Sequence, residues 1–308
     1  MSETLLSTGV RERPAFFPSD GNTLFGVITE PEGPGNGVGV LLIQGGDTVN
    51  VSLHRNRLAV RLARNLAADG YTCLRFDYHG LGESSGDLGA LHLHNPFTED
   101  AEAAAEVMHQ LGIDDLVLLG ACFSARTALS AAPSIRGVRA VIMATPPVGG
   151  YGREDAMAER LSREWSWSDY VRRAVRLETL ANLARPSHRQ AYTRFARFKL
   201  RGAARRPMSG DPTLRWVSPK LLAPLETMVE RGIPVLVVYG DEDPLLGEWE
   251  RAKAGRLGTI LKRGGDLVEV VDDLPGVVHG FLGVDIQNRF LSLAVEWIRA
   301  KVPVAERR

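Results

Sequence analysis

Leu116-Val117-Leu118-Leu119-Gly120-Ala121-Cys122-Phe123-Ser124-Ala125 reads as a buried strand that turns abruptly into a helix. The apolar run suits a strand covered on both faces. Gly120 is small enough for the close packing that a sharp strand-to-helix turn needs. The frame is that of a nucleophile elbow, written G-x-S-x-G, in which a strained turn lifts the central side chain clear of the sheet. Here a thiol takes the central place and Ser124 takes that of the closing glycine. A helix N-terminus behind Cys122 favours the thiolate, the reactive form. Free cysteine is commonly just a small buried hydrophobe. That is the reading for Cys73, inside an apolar run; the strand-end position makes Cys122 a candidate nucleophile.

Working outward, Val38–Ile43, Tyr71–Tyr78, Val138–Met143, Pro234–Tyr239 and Leu267–Val271 are further strand candidates. At the N-terminus, Asp20-Gly21 between extended runs signals a hairpin. Helical spacing of Ala59, Leu62, Ala63 and Leu66 predicts a helix over Arg55–Ala68, closed by Gly70. A second helix is expected over Pro96–Leu111, with Asn95 as N-cap and Pro96 at the first helical position. Another begins near Ser124, and the last runs from about Gln287 to Lys301. Strands alternating with helices predict an α/β fold: a mostly parallel central sheet, helices on both faces and right-handed crossovers.

The alternation breaks once. Residues 151–220 hold 14 Arg and 2 Lys against 7 Asp and Glu, with Trp165, Trp167 and Trp216 among them. We expect a core over 1–145 and 220–308, interrupted at 146–219 by a helical, Arg-rich cap insertion. Trp165 and Trp167 are candidate pocket-wall residues. The positive charge is either a solvated helical face or an attractor for an anionic substrate or an acidic carrier protein. Over the whole chain of 308 residues, 37 basic residues balance 37 acidic ones. That leaves no global electrostatic case for nucleic acid or membrane as partner. No stretch reaches the roughly 18 apolar residues of a membrane span. Two cysteines and an N-terminus without a basic, apolar leader predict a cytoplasmic protein with reduced thiols.

Two more strand ends carry chemistry. The run Val235–Tyr239 ends in Gly240-Asp241-Glu242-Asp243-Pro244, and catalytic groups on open α/β sheets gather at such carboxyl ends. Asp243 is the favoured acid, with Asp241 second; a plain acidic turn is the alternative. Near the end of the chain, Pro275-Gly-Val-Val-His279-Gly280 places a histidine on a loop, where a general base can reach a nucleophile. Together Cys122, Asp243 and His279 are the candidate catalytic residues. Oxyanion stabilisation needs backbone N–H groups aimed at one point. Phe123, just after the nucleophile, and Gly46, in Gln44-Gly45-Gly46-Asp47 after a strand, are the candidate donors. Gln44 and His54 are candidate pocket residues.

Asp77-Tyr78-His79-Gly80-Leu81-Gly82-Glu83-Ser84 resembles the D-x-R-G-x-G-x-S turn of α/β-hydrolases, particularly the serine aminopeptidase/monoglyceride lipase-like group. The chain is also similar to hydrolases of bacterial exopolysaccharide and specialised-metabolite clusters. Nucleophile, acid and histidine follow one another in the order that this superfamily uses. The resemblance implies the α/β-hydrolase fold and acyl chemistry. Cysteine at the elbow is shared with dienelactone hydrolases and polyhydroxyalkanoate synthases, which are other branches. His79 for Arg, Cys122 for Ser, Ser124 for Gly and Gln44 for His depart from the pattern.

The expected reaction is attack of a Cys122 thiolate on a small-molecule ester or thioester, with His279 as base and Asp243 orienting it. The resulting acyl-enzyme passes its acyl group to water or, as an acyltransferase, cyclase or C–C bond-forming enzyme would, to another nucleophile. A non-catalytic ligand-binding homologue is the remaining class. No cofactor is expected. His92-x-His94 lacks a third ligand at metal-site spacing, so no metal is expected either. Gly80-x-Gly82 lacks the rest of a dinucleotide fingerprint.

Overall fold

A computed structural model describes residues 9–44, 53–88, 93, 95–149 and 216–302. The expected hairpin is present: β1 (Val10–Ser19) pairs antiparallel with β2 (Asn22–Pro31). Asp20 and Gly21 make the turn at φ 40° and 77°. Positive φ at both central residues matches the twist of the flanking strands. The edge position of β1 is what lets a strand carry Pro14 and Pro18, which have no N–H for a ladder.

Six more strands follow: β3 (Val38–Ile43), β4 (Thr72–Phe76), β5 (Asp115–Ala121), β6 (Val138–Ala144), β7 (Val235–Gly240) and β8 (Val268–Leu274). They complete one sheet in the order β1-β2-β4-β3-β5-β6-β7-β8. β2 runs antiparallel to β4, and every pair from β4–β3 to β7–β8 is parallel.

The described helices are α1 (Leu58–Ala68), α2 (Thr98–Gln110), α3 (Phe123–Ala131), α4 (Pro219–Glu230), α5 (Leu246–Lys253), α6 (Arg256–Gly264) and α7 (Val284–Lys301). They cover both faces of the sheet. On one face Leu41, Leu74, Leu118 and Val141 pack with residues of α2, α3 and α4. On the other, Val40, Leu42, Val117 and Ile142 pack with Leu62 and Leu66 of α1 and Phe290 and Ala294 of α7. Adjacent strand residues thus enter opposite cores, which is why these strands read as continuous apolar runs rather than alternating ones. No described helix is long and apolar enough to cross a membrane.

Three helix starts differ from expectation. α1 begins at Leu58, not Arg55, because Asn56 and Arg57 adopt φ 49° and 57°, which no continuous right-handed helix accepts. Its other end is as expected: Gly70 takes φ 92° and donates to the Ala67 carbonyl. α2 begins at Thr98, so Asn95 is not its N-cap and Pro96 is not its first residue. Phe97 takes the cap position at φ −78°, ψ 67°, with its ring buried against Tyr78 and Phe123. That aromatic packing fixes the entry of the helix in place of a polar cap. α7 starts at Val284, three residues before Gln287. The proposed insertion at 146–219 falls almost wholly outside the described residues, and Trp165 and Trp167 with it.

Candidate active site

The elbow is built as the sequence suggests. β5 ends at Ala121, α3 starts at Phe123, and Cys122 between them adopts φ 53°, ψ −114°. A side chain other than glycine held there stores roughly 1–3 kcal/mol of backbone strain. Gly120 is required sterically, since a Cβ on it would lie 2.2 Å from the Ser124 carbonyl oxygen. Ser124 clamps the turn: its Oγ donates to the Ala121 carbonyl and accepts from the Ala121 N–H, each at 2.8 Å. The extra hydroxyl thus satisfies backbone groups that a glycine would leave to other partners. We expect Gly120→Ala to cost at least about 2–3 kcal/mol, because the overlap is with backbone that cannot rotate away. Thermal denaturation measures the loss, and an unchanged midpoint would contradict the geometry.

His279 is brought to this turn by a second tight approach. A Cβ on Gly240 would stand 1.9 Å from the Gly276 carbonyl oxygen, so the end of β7 and the loop after β8 touch through their backbones. Asp243, itself buried, holds that loop from the inside. Its Oδ2 accepts from the Gly240 and Val278 N–H groups at 2.6 and 3.1 Å, and its Oδ1 from the His279 N–H at 2.8 Å. His279 then sets its Nε2 3.3 Å from the Cys122 Sγ.

One expectation needs correction. Among the described residues the hydrogen bonds of Asp243 run to main-chain N–H groups, that of His279 included, and not to the imidazole ring. Three amides converge on the carboxylate, so it holds the loop that carries His279 through the main chain. Asp241, the second candidate acid, instead accepts from the Gly276 N–H at 2.7 Å at the surface.

Phe123 is the first residue of α3, so its N–H is among those with no intrahelical acceptor, as an oxyanion donor must be. Gly46 lies outside the described residues, as do His92 and His94. Gln44 is buried and its Nε2 donates to the Leu42 carbonyl at 3.1 Å. Gln44 and His54 line a small apolar cavity with Leu42, Ala121 and Phe281. His54 meets the Phe281 ring edge-on, at 5.5 Å between centroids. The cavity therefore lies beside Cys122, through Ala121, and beside the loop that carries His279, through Phe281. Cys73 is fully buried, and burial pushes its thiol up, far from reactivity at neutral pH.

Two features were not legible as site elements. His79, where the resembling pattern has arginine, pairs through Nδ1 with Asp100 Oδ2 at 2.7 Å. Asp100 also accepts from the His79 N–H at 3.0 Å and the Ser19 hydroxyl at 2.6 Å, tying β1, the turn after β4, and α2 together. Arg126, on α3, is completely buried. A signal did exist for it: an arginine inside the first turns of an otherwise small and apolar helix.

With this geometry in hand, the comparisons with known proteins are consistent in one respect. The model of the alpha/beta hydrolase family matches residues 40–275. A serine hydrolase homologue from Coxiella burnetii superposes with TM-score 0.56 at 18% identity, over 93% of this chain and 97% of that one. An esterase from Pyrococcus furiosus gives 0.55 at 14%, over 94% and 91%. The thioesterase domain from the curacin biosynthetic pathway gives 0.50 at 20%, over 92% and 98%. At such identities the likeness establishes the fold. Comparison with curated proteins gives no match.

Proposed function

Because this chain belongs to the alpha/beta hydrolase family, we propose that it is an acyl hydrolase of esterase or thioesterase type whose nucleophile is Cys122. The observation that carries the reading is the 3.3 Å approach of His279 Nε2 to a thiol held on a strained elbow. His279 takes the Sγ proton. The thiolate attacks the substrate carbonyl carbon, and the N–H groups of Phe123 and Gly46 receive the developing oxyanion. Collapse of the tetrahedral adduct expels the alkoxide or thiolate, which takes the proton from His279. A thioester on Cys122 remains, and water activated by His279 releases the acid. Asp243 favours the imidazolium formed in both halves. The small cavity beside Ala121 supports a site for part of the acyl group.

A thioester intermediate also reacts with amines and alcohols, so transfer is the second reading. The arginine excess within 151–220 supports an anionic acyl donor, an acidic carrier protein among them. Both readings are tested with p-nitrophenyl esters and N-acetylcysteamine thioesters of graded chain length. Products are weighed with and without an added amine or alcohol. We expect free acid alone when no acceptor is present; a conjugate formed in its presence would assign transfer. Absence of turnover across the whole series would refute both.

A further inference from the structure

Arg126 stands four residues after Cys122, one turn along α3, with no exposed surface. Its guanidinium donates to the carbonyls of Leu93 at 3.4 Å, Gly149 at 3.1 Å and Pro147. Among the described residues its Nε has no hydrogen-bond partner. None of these partners is an anion. Carbonyl dipoles satisfy N–H groups, but a buried cation left without an opposite charge is strongly unfavourable. Burial pulls Arg126 down to about 10, with Tyr239 and then Cys122 acting against it. It therefore remains a cation at neutral pH.

The groups that face it narrow the choice of anion. From β7, Tyr239 donates its hydroxyl to the Pro146 carbonyl at 2.6 Å. Burial, then Asp243 and Glu248, hold that phenol well above its usual range, so it is neutral. Asp243, on the loop after β7, spends its carboxylate on three amides. Glu248 lies on α5, and His279 directs its Nε2 to the thiol at 3.3 Å. Among the described residues, the remaining group that can ionise and acts on Arg126 is Cys122. The same attraction that raises the hold of Arg126 on its proton lowers the hold of Cys122 on its own.

We propose that Arg126 is the buried counter-charge of a Cys122 thiolate, a positioning residue that keeps the nucleophile ionised in the free protein alongside His279. The inference rests on Cys122 being the nucleophile. The Sγ proton leaves to His279 Nε2 or to water; no other bond changes. Arg126 also ties the segment after β6 to α3, so loss of stability in a variant does not by itself speak for or against the charge role.

The test is the pH profile of alkylation by iodoacetamide, which consumes thiolate. It is followed on the full chain by mass spectrometry of the Cys122 peptide, with the buried Cys73 as internal reference. In Arg126→Met the midpoint should move up by about one pH unit or more. Arg126→Lys, which keeps the charge, should recover at least half of that shift. A folded Arg126→Met with an unmoved midpoint overturns the proposal. If Cys122 alkylates no faster than Cys73 at any pH, the nucleophile reading itself fails, which is a different outcome.

Should Arg126→Met not fold, unfolding stability decides. It is compared between His279→Gln and His279→Gln/Cys122→Ser from pH 6 to 10. A thiolate held by Arg126 has a lower midpoint folded than unfolded. Its contribution is therefore full above the unfolded value of about 8.5 and fades as pH falls through the folded one. A stability difference that does not change with pH overturns the proposal.

Discussion

Cys122→Ala is expected to reduce acyl-ester turnover by about 10⁴-fold or more, the usual consequence of deleting a nucleophile from a triad. Its effect on stability should be small by comparison. The side chain is half-buried, and the turn around it is held by groups that the substitution leaves in place: the Cys122 N–H to the Ala144 carbonyl and the Ser124 hydroxyl to Ala121. Cys122→Ser separates two explanations of the thiol. Serine restores a nucleophile that His279 can deprotonate but not one that ionises readily on its own. Turnover should lie between that of alanine and the natural residue. Full activity of the serine variant would mean that the thiolate contributes nothing special. Steady-state rates on a p-nitrophenyl ester, with thermal midpoints measured in parallel, give both answers.

Asp243→Ala is expected to damage both stability and activity. The buried carboxylate accepts from three main-chain N–H groups, those of Gly240, Val278 and His279. Removing it leaves buried donors without acceptors, at about 1–3 kcal/mol for each that water does not reach. The total should reach several kcal/mol, and the loop carrying His279 should loosen. Asp243→Asn would restore one oxygen acceptor but aim an NH₂ at the remaining donors, so it should recover only part of the loss. A chemical denaturation series measures the effect. An Asp243→Ala protein of unchanged stability would contradict the role of the carboxylate as the loop's anchor. Asp241→Ala, which removes one surface contact to the Gly276 N–H, should be mild by comparison.

The parts legible in the sequence share one physical trait: local constraint. Buried parallel strands are continuous apolar runs, and β3, β5, β6 and β7 fall within a residue or two of expectation. Asp20-Gly21 had to turn because both positions need positive φ. The elbow announced itself because Gly120 leaves no room for a side chain and Cys122 follows a strand. Helices α4, α5 and α6 were not anticipated. The first contains Pro224 and the other two are short, so apolar periodicity is weak and their position comes from packing. The shifted start of α2 has the same origin, since the Phe97 ring is held by Tyr78 and Phe123, residues distant in the chain.

The site follows this division. Chain order and strand-end position pointed to Cys122, Asp243 and His279, and the fold gathers them at the carboxyl ends of β5, β7 and β8. What spacing could not reveal was the direction of the Asp243 hydrogen bonds, because three amides from two loops meet at one carboxylate only in the folded chain. Nor could it reveal that Arg126 is buried against the carbonyls of Leu93, Pro147 and Gly149, or that His79 leans on Asp100. Each depends on contacts between segments well separated in sequence.

The central claim is that acyl groups pass through Cys122. It is tested most directly by mixing the protein with an activated ester, quenching in acid and weighing the intact chain and its peptides. The account predicts a single acyl mass on the peptide carrying Cys122. It should be released by hydroxylamine as a thioester is, and be missing from Cys122→Ala. An acyl group on any other residue, or full turnover after Cys122 has been alkylated, would contradict it.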